Sequence, residues 1–127
     1  MRSMIITVAI CLVLSLGLGV FCSLYTRKLS DDYQQQMDAI TSALNAGQWK
    51  TALDRTRNME EKWENHARIL SLFTDHAQVD AVSFSLAQLR VSIEEMEKYH
   101  ALLYVAEFCE SLALIDSRDA FVLKNIL

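Results

Sequence analysis

The sequence predicts an all-α protein, an N-terminal transmembrane helix followed by a small four-helix bundle of two helical hairpins. Three observations carry this. Residues 4–24 form an apolar run of 21 residues with no charge, Asn, Gln or Pro. The whole chain of 127 residues has no Pro and three Gly, two of them, Gly17 and Gly19, inside that run. The remainder shows apolar residues at the i, i+3, i+4 spacing of one helix face, interrupted by short polar breaks. A stretch with one Gly and no Pro cannot be rich in turns.

The apolar run defines the first element. At ~1.5 Å rise per residue a helix of this length crosses the ~30 Å hydrocarbon core of a bilayer. Its twelve Leu, Ile, Val and Phe residues favour insertion by roughly 0.3 to 0.6 kcal/mol each. A cleaved signal has a shorter core of about 7–15 residues and a small-residue cleavage site. Phe21 before Cys22 is too bulky for a lipoprotein-type site, so an uncleaved anchor over residues 1–28 is expected. Positive charge flanks the run on both sides, Arg2 before it and Arg27 and Lys28 after it. The charge rule for orientation barely discriminates here. A short basic head before the first apolar segment fits an N-inside anchor. That predicts a single-pass protein of the cell membrane, its N-terminus cytoplasmic and residues 29–127 an extracytoplasmic helical domain. Within the run Thr7, Cys11, Ser15, Gly19 and Ser23 recur every four residues. Small residues at this spacing let helix backbones approach, so Cys11, Ser15 and Gly19 are candidate contacts with another membrane helix. Chance spacing is the plainer explanation.

The first helix of the domain is expected to begin at Ser30 or Asp31, either a good N-cap. Its stripe is Tyr33, Met37, Ile40 and Leu44, and Gly47 is placed to end it in the left-handed conformation. The second helix spans about 48–71, with the stripe Trp49, Ala52 and Leu53, Thr56, Met59, Trp63, Ala67 and Leu70. Arg55, Arg57, Lys62 and Arg68 alternate with acids and read as a solvated face with i, i+4 pairs. Asp75 followed by Gln78 has the spacing of a capping box before the third helix. That helix carries Val79, Val82, Leu86, Leu89, Ile93 and Met96. The fourth stripe is Tyr99, Leu102 and Leu103, Ala106, Cys109, Leu112 and Ile115, closed by Asp116-Ser117. Ser117 is placed to cap a last turn with Phe121, Val122, Ile126 and Leu127.

An internal echo joins the hairpins: Trp49-x-x-Ala52-Leu53 recurs fifty residues on as Tyr99-x-x-Leu102-Leu103. The Gly47-to-Leu53 segment also resembles a step of a tetratricopeptide repeat, but the first-helix pattern and closing Pro of that repeat are missing. Two hairpins are too few for a solenoid, so a closed bundle is expected.

Charge narrows the function. The net charge is −4, but residues 29–127 hold nine Lys/Arg against sixteen Asp/Glu, a net of −7. Such a domain lacks the clustered cations that nucleic acid requires. Three cysteines give no disulfide framework, and Cys109 on a helical stripe packs as a small hydrophobe. No Gly-rich phosphate loop, Cys pair, Gly-x-Ser-x-Gly or His-Glu-x-x-His stands in the chain.

The polar constellation to weigh is Asp75, His76 and Asp80 at the entrance of the third helix. A nitrogen ligand or base beside two carboxylates suits a metal or acid–base site. The plain reading makes Asp75 a cap and Asp80 an anion in the first turn, where the helix dipole favours it. Trp49 and Trp63, fourteen residues apart, share a helix face. They serve either as core or as an aromatic patch for a partner.

The short anchor, Gly47-Gln48-Trp49 with Trp63, Leu72-Phe73-Thr74-Asp75-His76, Val79-Asp80, Ser85-Leu86, Leu89-Arg90 and Asn125-Ile126-Leu127 together resemble a known family. It is the one catalogued as domain of unknown function 4363, small singly anchored helical proteins of Gram-positive bacteria. The resemblance supports the architecture and implies no activity. The expectation is therefore a non-enzymatic, cofactor-free module. Its partners are the lipid bilayer and another envelope protein or a second copy, with no nucleic acid. A small site at Asp75, His76 and Asp80 is the alternative.

Overall fold

The computed structural model describes residues 1–72 and 74–126, with the side chains of 116–126 outside the description. Four helices follow one another: α1 (Arg2–Asn45), α2 (Trp49–Leu70), α3 (His76–Glu94) and α4 (Lys98–Ile126). No strand occurs among the described residues. Each helix packs on two neighbours in the cycle α1, α2, α3, α4 and back to α1. That closure of α4 on α1 makes a bundle and not a repeat array.

The anchor and the first bundle helix are one element. The expected start at Ser30 or Asp31 is absent, and α1 runs unbroken for 44 residues, about 66 Å at 1.5 Å each. The reason lies in composition. Between Gly19 and Gly47 there is neither Gly nor Pro, and a cap residue inside a formed helix has no orphan N–H to satisfy. The two halves are buried differently. Residues 4–18 are exposed on every side, and the helix is long and apolar enough to cross a membrane. From Thr26 on, one stripe is buried: Leu29, Tyr33, Met37, Ile40, Ala43 and Leu44.

The α1–α2 turn ends the helix as expected. Gly47 has φ +73°. Its N–H bonds Leu44 O at 3.2 Å, and Gln48 N–H bonds Ala43 O at 2.8 Å, the paired bonds of a Schellman motif. The α3–α4 turn repeats this geometry without a glycine. Met96 sits at φ 56°, with bonds from Met96 N to Ile93 O and from Glu97 N to Ser92 O. Met96 is therefore exposed rather than the end of the α3 stripe. Asp75 caps α3, its carboxylate accepting from Ala77 N at 3.0 Å. The reciprocal half of the capping box is not made: Gln78 Oε1 is shielded and has no partner.

The core holds Met37, Ile40, Met59, Trp63, Leu86, Leu89, Phe108 and Ile115 at its centre. Tyr33, Trp63 and Phe108 meet with ring centroids 5.6 to 6.2 Å apart. The buried hydroxyls of Thr56 and Ser85 donate to the carbonyls four residues back, so neither is orphaned.

In the fourth stripe Leu112 and Ile115 are buried as expected and Leu102 and Cys109 pack against the core, but the first half is corrected. Ala101 and Phe108 are buried, whereas Tyr99 is 77 % exposed and Leu103 and Ala106 face outward. α4 is apolar on most of its circumference, so periodicity alone does not fix its rotation. The echo is corrected with it, because the structural repeat is 49 residues, the interval from Gly47 to Met96. At that shift Met37, Ile40 and Leu44 fall on Leu86, Leu89 and Ile93, and Ala52, Met59 and Trp63 on Ala101, Phe108 and Leu112. All twelve are buried. Finally, α4 does not break at Asp116-Ser117 but continues to Ile126. The expected contacts of Ser117, Phe121, Val122, Ile126 and Leu127 lie outside the described residues.

Candidate functional site

Asp75, His76 and Asp80 are all exposed at the start of α3, and the structure gives Asp75 its capping bond. Among the described residues no three His, Cys, Asp or Glu side chains come together as a metal set. Of the two tryptophans, Trp63 is 3 % exposed and donates from Nε1 to Ser83 Oγ at 2.7 Å. It joins α2 to α3 inside the core, which corrects the expectation that it could face a partner. Trp49 is half-buried at the start of α2. Cys11 and Ser15 are exposed and Gly19 partly so, on the part of α1 outside the bundle.

The solvated face of α2 is also organised differently from expectation. Arg57 reaches across to Glu94 at 3.5 Å, and Glu94 accepts from Arg90 Nη1 at 3.0 Å. Arg90 Nε in turn bonds Glu60 at 2.8 Å. The hydrogen bond from Arg90 holds the Glu94 carboxyl below the usual carboxylate range, and Arg57 adds to it. This chain ties α2 to α3. Arg55 and Lys62 make no ion pair among the described residues. They line an open groove of about 610 Å³ between α1 and α2, with Lys28, Asp32, Tyr25 and His66.

His66 is the titratable group that sequence reasoning passed over. Its Nδ1 lies 2.8 Å from the Tyr33 hydroxyl, and its ring stands edge-on to those of Tyr25 and Tyr33. Burial lowers its basicity; Asp32 opposes this and Lys62 adds to it. Burial, with Tyr25 beside it, pushes the Tyr33 phenol well above its ordinary value. We assign the phenol as donor, because it keeps its proton and neutral imidazole offers an acceptor. The ring proton then sits on Nε2.

The 49-residue shift exposes a second unforeseen feature. Phe84, Val91, Leu103 and Leu114 are 58, 41, 44 and 56 % exposed on the second hairpin. Their equivalents on the first are Gln35, Ser42, Asp54 and Asn65, also exposed. The core is shared and the outer faces are not. Aligning the chain on itself at 49 residues, rather than fifty, would have shown this from sequence.

A family model matches residues 20–126 and is described as Domain of unknown function (DUF4363). The chain belongs to this family. The match covers the bundle and the end of the apolar run, and with it the Gly47 turn, Trp63, the Asp75 cap and Arg90. Neither the curated proteins nor the solved structures contain a match to the chain.

Proposed function

We propose that the protein is a non-enzymatic, membrane-anchored helical module that binds a protein partner in the envelope, another protein or a second copy. The carrying observation is the set of exposed large apolar side chains on the second hairpin, where the equivalent positions of the first are polar. The fold does not require Phe84, Val91, Leu103 or Leu114 to be apolar, since Gln35, Ser42, Asp54 and Asn65 serve the same structural positions. Large apolar side chains left exposed where the fold does not require them mark a candidate protein contact. In this reading α1 crosses the membrane with its N-terminus cytoplasmic and holds the bundle outside. The basic head at Arg2 supports that orientation, and a C-terminal topology reporter checks it. Cys11, Ser15 and Gly19 remain available to a second membrane helix.

The test is photo-crosslinking in native membranes from a probe at position 114. A discrete adduct is expected, and its mass separates a second copy from a different protein. The double variant Phe84→Glu, Leu103→Glu should abolish it while the chain stays folded by circular dichroism. An adduct of undiminished yield in that variant would defeat the proposed face.

A further inference from the structure

We propose that the groove between α1 and α2 binds a phosphate-type anion, held by Lys28 and Lys62 with His66 Nε2–H as a directional donor. Four observations converge on it. First, Lys28, Arg55 and Lys62 line the same groove of about 610 Å³, and Asp32 is the one acid among its lining residues. A local excess of cations stands out on a domain that is acidic as a whole. Second, none of these three cations is held by an ion pair among the described residues. Arg57 and Arg90, by contrast, are engaged with Glu60 and Glu94 on the other side of α2. Third, the bond between Tyr33 and His66 fixes the imidazole and leaves Nε2 as its remaining N–H. A fixed neutral donor beside two flexible ammonium groups is a chemically sensible cradle for phosphate oxygens.

The fourth observation comes from the repeat. Lys28, Asp32, Arg55, Lys62 and His66 correspond at 49 residues to Ala77, Ala81, Tyr104, Ser111 and Ile115. The bundle is built equally well with no charge at these places, so architecture does not explain the cations. A ligand does. The groove begins at Tyr25 and Lys28, one turn from Leu24, the end of the apolar run. An anionic lipid headgroup and a free phosphate are both chemically suited to it. The lipid source rests on the membrane-anchor reading above; the anion site itself does not.

The experiment titrates the full chain in neutral detergent micelles and follows the His66 ring signals by NMR. Three probes are used: inorganic phosphate, short-chain phosphatidylglycerol and short-chain phosphatidylcholine. Saturable shifts with phosphatidylglycerol alone support a headgroup site, and saturation by phosphate as well supports a site for the free anion. The double variant Lys28→Gln, Lys62→Gln should bind about thirtyfold more weakly, at about 1 kcal/mol for each cation near an anionic surface. Lys98→Gln, at the start of α4, should leave binding unchanged. Non-saturating shifts with both anions, or binding undiminished in the double variant, would overturn the proposal. Carbonate extraction of native membranes tests the anchor separately. A chain released by carbonate yet saturable by phosphate would retain the site and lose the membrane reading.

Discussion

The first hairpin, α1 with α2, and the second, α3 with α4, use the same interior and different exteriors. Leu44 and Ile93, or Met59 and Phe108, differ in shape but occupy equivalent buried positions. Outside, the first hairpin carries Lys28, Arg55 and Lys62, where the second has Ala77, Tyr104 and Ser111. The second exposes Phe84 and Leu103, where the first has Gln35 and Asp54. The interior fixes how two antiparallel helices pack, so it holds mainly apolar residues at equivalent positions. Solvent-facing positions carry no such constraint. One more difference lies at the shared entrance. Asp75, which caps α3, corresponds to Thr26, where α1 needs no cap because it arrives already helical from the apolar run.

The strongest way to break the comparison is to truncate its paired core positions. Phe108→Ala should cost about 3–5 kcal/mol and Met59→Ala about 2–5 kcal/mol in urea unfolding. Near-neutral behaviour of either would mean that the two hairpins do not share an interior. Leu12→Ala, on the exposed half of α1, should leave bundle unfolding unchanged. Next in size is the joint between hairpins. Ser83→Ala strands the buried Trp63 Nε1–H, which should cost about 1–3 kcal/mol. Trp63 fluorescence would follow it.

The two turns should respond with opposite signs. Gly47→Ala places a Cβ at φ +73° and should destabilise by about 1–2 kcal/mol. Met96→Gly relieves the same conformation at φ 56° and should stabilise by up to about 1 kcal/mol, partly offset by the greater freedom of the unfolded chain. Thermal midpoints measured side by side decide this.

The smallest effect is the pH response of the first hairpin, since His66 has Ile115 as its counterpart. Burial lowers the folded pKa of His66 below its ordinary value of about 6.5. As pH falls through about 6.5 the unfolded chain takes up the proton first, so stability declines until the lowered folded pKa is passed. Above that window the group contributes no slope. Asp32 reduces the size of the decline. Unfolding curves from pH 8 to 5 should flatten in His66→Gln relative to the parent chain.

Much of this architecture is legible in the sequence. The stripes of α2 and of the bundle half of α1 are set on helices with a distinct polar side, and that of α3 keeps a regular spacing, so the buried residues can be identified. α4 lacks that contrast. Tyr99, Leu102, Leu103, Val105 and Phe108 cover most of its circumference, and only packing against α1 and α3 selects Ala101 and Phe108. The false start at Ser30 has a related cause: a residue suited to capping does not itself end the helix before it. The candidate sites were less readable. Lys28, Arg55, Lys62 and His66 are scattered over two helices and resemble ordinary surface residues until antiparallel pairing brings them to one groove. The Asp75, His76 and Asp80 constellation is compact in sequence, and Asp75 serves there as a helix cap.

The unbroken passage of α1 from the apolar run into the core also sets a heading. A flexible tether would let the bundle turn freely about the anchor. A continuous helix fixes each outer face of the bundle relative to the faces of the apolar segment. Adding one residue between positions 20 and 25 would swing the whole bundle by about 100° while lifting it only about 1.5 Å. The angle between the charged groove and the faces of the apolar segment is thus set by the number of residues that join them.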